Sequence, residues 1–197
     1  MALAHFTMNK QDYTAVYEQK HALRKQIAQL RASLTPEQLI TRSREVAQNL
    51  ELLEAFQQSK ILFLYHSMPG EVETRELIAR YQHEKIILLP VVTPQGLILR
   101  RYRENDSLQL SSYGISEPTG EDFTDYAAID FVVVPGVAFD RSHNRLGFGK
   151  AYYDNLLPKI DAYKAAVCFN FQIFDTIPHT PSDVKMDAIV CQDEIII

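Results

Sequence analysis

Apolar residues recur along the chain in two rhythms that separate helix from strand. Leu23, Ile27, Leu30 and Leu34 follow one another at steps of four, three and four, the period of one helical face, and predict a first helix there. In "TPEQ", Thr35 is placed to cap, Pro36 suits a first helical position and Gln38 completes a capping box, so a second helix is expected to run toward Gln57. "KILFLYHS" and "KIILLPVV" are short aliphatic runs separated by the helix-like "ETRELIARYQH", and this strand, helix, strand alternation implies a parallel sheet. "LILRRYR" reads as a further strand, and the polar stretch 104–126 after it as a loop long enough to serve an active site. "FVVVPGVAF" predicts a buried strand whose pairing ends at Pro135 and Gly136, "GKAYYDNLLPKI" a helix until Pro158, and "AAVCF" and "AIVCQDEIII" the closing strands. No repeat, low-complexity segment or linker interrupts residues 1–197, so one three-layer α/β/α domain on a mostly parallel open sheet is expected.

Composition adds exclusions. A chain of 197 residues, 46% hydrophobic and 23% charged, suffices for one substantial soluble core. Net charge is −5 with no polybasic tract, so the electrostatic footprint of a nucleic-acid binder is missing and small-molecule partners are expected. The opening "MALAHFTMNKQDY" has no charged region followed by a sustained apolar run, and no segment approaches the roughly 18 to 20 apolar residues that span a bilayer. No membrane association and a cytoplasmic location are expected. Cys168 and Cys191 lie far apart in apolar surroundings and read as core thiols rather than as a disulfide or zinc pair.

Ligands of such folds bind outside the carboxyl ends of the strands, which draws attention to "RLGFGKAYYD" after "FVVVPGVAF". Gly147 and Gly149 permit close approach of backbone N–H groups to a phosphate, Arg145 offers a rigid fork of donors, Lys150 a point charge, and a helix starting nearby its positive end. Asp154 is placed to hold a divalent cation. The spacing matches neither common phosphate-loop fingerprint, and a second reading stays open: a glycine-eased turn with Tyr152 and Tyr153 packed on the sheet and the charges solvated. Lys20 and Arg24, four apart, share a helical face that suits either one anion or water. Glu71, Glu73 and Glu76 suit a cation, an amine-rich ring, or simply a helix start. His66 ends a strand at the ligand edge. Asp183 or Asp187 is available to join Asp154 at a magnesium, or to cap a loop. With no G-x-S-x-G elbow and no cysteine beside a base, phosphoryl chemistry leads among enzymatic classes.

Taken together, "KHALR", "YHSMPGEVETRELI", "LLPVV", "GISEP" and above all "DFVVVPGVAFDRSHNRLGFGKAYYDNLL" resemble the 5-formyltetrahydrofolate cyclo-ligase family over nearly the whole chain. The resemblance implies an open α/β fold of the CoA transferase-like kind. It implies ATP- and Mg2+-dependent conversion of 5-formyltetrahydrofolate to 5,10-methenyltetrahydrofolate, with ATP as co-substrate and the chain acting as a monomer. Carried over by position, it implies ATP binding by Lys20, Arg24 and the run Arg145, Leu146, Gly147, Phe148, Gly149, Lys150, Ala151, Tyr152 and Tyr153, with Arg145 and Lys150 catalytic. It likewise implies folate contacts at His66, Met68, Glu71, Phe148 and Tyr152, and magnesium at Asp154 and Asp183. Three positions depart from the family's habit: His143 and Ala151 stand where glycine is frequent, and Phe148 where tyrosine or a polar residue is. Two other functions stay open on the sequence: a non-catalytic nucleotide- or folate-binding relative, and an ATP-dependent enzyme for another small formylated or carboxylated substrate.

Overall fold

A computed structural model of the chain describes residues 10–103, 108–110, 114 and 116–197. Along the sequence come α1 (Lys10–Ala32), α2 (Pro36–Glu51), α3 (Glu54–Gln58), β1 (Ile61–Phe63), α4 (Arg75–Tyr81), β2 (Ile86–Thr93) and β3 (Gly96–Tyr102). β4 (Leu108–Leu110), β5 (Ser116–Pro118), β6 (Asp122–Phe123), β7 (Phe131–Val134), β8 (Ala138–Asp140) and β9 (Arg145–Leu146) follow. The chain closes with α5 (Tyr152–Leu156), β10 (Tyr163–Val167), β11 (Ile173–Phe174), β12 (Ala188–Val190) and β13 (Ile195–Ile196).

The main sheet has the order β13-β12-β10-β7-β1-β2-β3-β6. Its five central strands are parallel and its edges antiparallel. The all-apolar runs seen in the sequence follow from burial on both faces. Phe131 and Val133 of β7 join the core under α2, α3 and α4 with Val46, Leu50, Phe56 and Leu77. Val132 and Val134 point the other way, toward Leu156, Leu157 and Ile160. Each such side chain contributes about 1.5–3 kcal/mol on leaving water. Cys168 and Cys191 are buried free thiols, as expected.

The "TPEQ" box forms: Thr35 accepts from the Gln38 amide, and Gln38 accepts from the Thr35 amide. The helix it starts stops at Glu51 rather than near Gln57 because Leu53 turns extended and sinks into the core, and α3 restarts after it. The expected helix at "GKAYYDNLLPKI" begins only at Tyr152, since Ala151 is left-handed (φ 54), and its α-helical part is five residues long. Stretch 104–126, expected as a loop, contains the β4–β5 hairpin and β6, while 104–107, 111–113 and 115 lie outside the described residues. Residues 1–9 of the opening segment also lie outside them. No helix among the described residues is long and apolar enough to cross a membrane.

"FVVVPGVAF" is two strands in two sheets. After β7, Pro135 and Gly136 carry the chain into β8, which pairs with β9 and β11 in a small sheet. Ile27 of α1 packs on Val137, Ala138, Leu146 and Ile177 there. The switch is tightly filled: Gly136 O accepts from Arg31 at 2.7 Å and from Gln172 at 3.1 Å. A Cβ on Gly136 would sit 2.4 Å from Phe139 Cζ. Gly136→Ala is therefore expected to cost about 1–3 kcal/mol of stability through overpacking, read by denaturant unfolding. An unchanged midpoint would show that Phe139 yields freely.

Candidate active site

β1 is shorter than the two strands that flank it in the main sheet, β2 and β7. Its last pairing places Phe63 beside Leu88 on one side and Val132 on the other, whereas β2 runs on to Thr93 and β7 to Val134. The gap beyond the carboxyl end of β1 opens into a cavity of about 270 Å³, with Pro90, Val92, Leu97 and Pro135 among its apolar lining. Two of these are prolines, which bring no amide donor to be satisfied.

The turn leaving β1 builds one wall. Gly70 has φ 83 and the Glu71 N–H donates to Met68 O at 3.0 Å, as in a type II turn over Met68–Glu71, whose third residue needs positive φ. The turn folds Glu71 inward, where its carboxylate accepts the Met68 N–H at 2.9 Å. Only 7% of Glu71 is exposed. Burial raises its carboxyl, the Met68 amide and the Arg31 guanidinium offset only part of that, and the result is pushed up to about 7. Tyr65 and Tyr153 face the same carboxylate, and burial first, then Glu71, raises both phenols. The buried Tyr153 hydroxyl has no partner among the described residues. His66 and Met68 complete this wall, and burial followed by Arg75 lowers the His66 imidazole, keeping it neutral near pH 7.

"RLGFGKAYYD" builds the opposite wall. Arg145 is buried and pairs with Asp154 Oδ1 at 2.7 Å. A Cβ on Gly147 would lie 2.8 Å from Arg145 Nη1, so this glycine is needed for the guanidinium to lie against the loop backbone. Arg24 Nε donates to Gly147 O at 2.9 Å, and Lys20 pairs with Asp183 beside it. Phe148 and Lys150 are exposed at the cavity wall, with Ala151, Tyr152, Tyr153 and Asp154 following.

Most expected site residues thus converge. His66, Met68, Glu71, Arg145, Gly147, Phe148, Lys150, Ala151, Tyr152, Tyr153 and Asp154 line one cavity. Leu146 sends its side chain into the small core. Gly149 (φ 97) lies against the Arg24 guanidinium. Among the alternatives, Glu73 pairs with Arg75 and Ser67 and Glu76 with Arg44, so both serve the surface of α4. Asp187 accepts the Lys164 N–H at the amino end of β10, away from the ligand edge. The positive helix end expected behind the phosphates is minor, because α5 is barely longer than one turn.

Three cavity-side residues were missed by the sequence reading. Arg31 lies one α1 turn beyond Ile27, with its guanidinium 5.2 Å over the Phe148 ring, and burial lowers it. The 20, 24, 27, 31 periodicity was the available signal. Glu117 was hidden in the presumed loop, and Tyr65 in an apolar strand. His143 (φ 66) and Ala151 (φ 54) both occupy left-handed positions, a backbone region that favours glycine. Among the described residues no three His, Cys, Asp or Glu side chains gather as a metal site. Of the three carboxylates that line the cavity, Glu71, Glu117 and Asp154, only Asp154 stands on the wall with Arg145 and Lys150. That wall fits a magnesium held mostly by phosphate and water oxygens, not an all-protein cage.

The model of the 5-formyltetrahydrofolate cyclo-ligase family matches residues 16–192. The chain belongs to that family. The family's solved structure of Aquifex aeolicus 5,10-methenyltetrahydrofolate synthetase superposes with a TM-score of 0.81 at 36% identity, covering 89% of this chain and 91% of that one. A probable 5-formyltetrahydrofolate cyclo-ligase of Schizosaccharomyces pombe is 32% identical over 164 residues, 73% of this chain and 80% of its own length. The Mus musculus 5-formyltetrahydrofolate cyclo-ligase is 29% identical over 190 residues, 88% of this chain and 94% of its own.

Two measurements probe this cyclo-ligase-family site without any ligand. A carboxyl raised on folding binds its proton more tightly in the native state, so ionising it destabilises the fold. Stability should fall by up to about 3 kcal/mol as pH rises from the unfolded value near 4.5 to about 7. Denaturant midpoints of the wild type should show this slope and those of Glu71→Gln should lack it; parallel curves would place Glu71 in water. Ala151→Gly should raise the thermal midpoint, because relief of the left-handed Cβ, about 1–2 kcal/mol, outweighs the added unfolded-state freedom.

Proposed function

We propose that the protein converts 5-formyltetrahydrofolate and ATP to 5,10-methenyltetrahydrofolate, ADP and phosphate, with magnesium required. The supporting observation is the composition of one cavity. Cationic groups and glycine backbone stand at one wall, and a buried carboxylate with aromatic neighbours at the other. That is the pairing a nucleotide phosphate and a flat N–H-bearing ring demand.

In this reading Lys20 and Arg24 approach the phosphates from α1, and the run from Arg145 to Tyr153 cradles them. Lys20 is kept in place by Asp183, and Arg24 is anchored on Gly147 O. Asp154, with Asp183 nearer Lys20, supplies carboxylate oxygen for magnesium. When bound, the ion would neutralise phosphate charge. Glu71 accepts N–H groups of the pterin, and His66, Met68, Phe148 and Tyr152 flank it.

The formyl oxygen attacks the γ-phosphorus, forming a C–O–P link as the bond to the β-phosphate oxygen breaks and ADP leaves. Arg145 and Lys150 stabilise the charge that develops on the transferring oxygens, which is most of what phosphoryl transfer asks of a protein. N10 then attacks the activated formyl carbon, loses its proton, and the C–O bond breaks as phosphate departs. The apolar floor limits competing water.

The purified protein should form the methenyl chromophore from 5-formyltetrahydrofolate only with ATP and magnesium, and absence of product from folded protein overturns the reading. Lys150→Ala, at an exposed position, should lower kcat about a hundredfold with little change in the folate KM. Pterin N–H groups bind the ionised Glu71, so folate affinity should rise about tenfold from pH 6 to pH 8 as that carboxyl titrates near 7, and the rise should vanish in Glu71→Gln.

A further inference from the structure

Besides Glu71 and Asp154, a third carboxylate lines the cavity. Glu117 sits in β5, is 8% exposed, and shares the lining with the apolar Pro90, Val92 and Leu97. Its position follows from the truncated β1. Leu88 O accepts the Leu64 N–H, so on the two-residue alternation of a strand the Val92 N–H points to the same side of β2, beyond where β1 has left the sheet. No main-sheet neighbour stands there to accept it. Glu117 Oε1 does so at 3.1 Å, which fixes the carboxylate at the gap.

Satisfying one amide does not require a carboxylate, since a serine, asparagine or glutamine oxygen would serve. Holding an acid in an apolar lining costs several kcal/mol unless its charge is used. A carboxylate has roughly four lone-pair sites, and one N–H leaves capacity for others. Glu71 stands on the other strand exit, in the turn after β1, with its own backbone donor from Met68. The cavity therefore has acceptors on two of its walls, set by two separate segments, and suits a ligand with N–H donors on more than one edge. A reduced folate has such donors at the pterin's amino group, N3 and N8 and at N10 of the side chain, more than one carboxylate can accept.

We infer that Glu117 is a second folate-binding carboxylate, accepting a substrate N–H that Glu71 does not reach and so fixing the orientation of the ring in the cavity. This rests on the folate reading given above. Glu117 touches substrate and takes no part in holding phosphate.

Glu117→Gln separates this role from a structural one, because the amide oxygen keeps the Val92 bond while the charge and part of the acceptor capacity are lost. The affinity for 5-formyltetrahydrofolate without ATP, by calorimetry, and its KM in the chromophore assay should weaken about tenfold or more, with the KM for ATP unchanged. Folate binding and KM within twofold of wild type would overturn the inference, as would an equal rise in both KM values. Glu117→Ala, which also removes the Val92 partner, should additionally lower the thermal midpoint. If Gln restores folate affinity as fully as it restores that midpoint, the role is structural and the inference fails. Glu117-dependent folate binding without turnover would support the inference while sinking the proposed reaction; turnover indifferent to Glu117→Gln would do the reverse. A wild-type chain that binds no 5-formyltetrahydrofolate overturns both.

Discussion

The site exists because the central strand of the sheet is too short. β1 pairs through Phe63 and then leaves, while the strands on either side continue. A gap in the middle of a parallel sheet exposes backbone that must be satisfied, and the protein answers with prolines at Pro90 and Pro135 and with a side-chain acceptor at Val92. What would be a defect in a purely structural sheet becomes a walled, dry space at the carboxyl edge, where the neighbouring strands also release their loops. The turn after β1 and the crossover after β7 are the two exits nearest the gap. They carry Glu71 and the Arg145–Asp154 wall respectively.

Much of this was legible from residue order. Aliphatic runs with interposed helical segments gave the parallel centre, and Pro-Gly after "FVVV" correctly marked where pairing ends. What order alone could not show was that the chain changes sheets there, because a sheet switch and a strand end carry the same local signature. Helix limits failed for comparable reasons: Leu53 is apolar enough to extend a helix by pattern, yet the core draws it inward in an extended conformation. Ala151 is a good helix former placed where the backbone turns left-handed, so local propensity was overruled by the loop it closes.

Most residues expected at the site line one cavity, whereas Arg31, Tyr65 and Glu117 had no local signal that set them apart. Position along the chain did not separate Glu71 from Glu73 and Glu76; the resemblance singled it out, and the fold buries it and leaves the others with surface arginines. Arg31 was invisible as a partner of Phe148 because 117 residues separate them. Its guanidinium lies over the Phe148 ring. A cation is thus presented near the loop from a helix rather than from the loop itself.

That helix joins two jobs usually kept apart. α1 covers the small sheet through Ile27 and holds the loop and the Pro-Gly switch through Arg24 and Arg31. Its docking and the order of the loop wall are therefore coupled through those contacts, and a ligand held on that wall would also clamp the helix. Amide protection along α1 is in effect a gauge of occupancy at a site some of whose ligand-facing atoms belong to other elements.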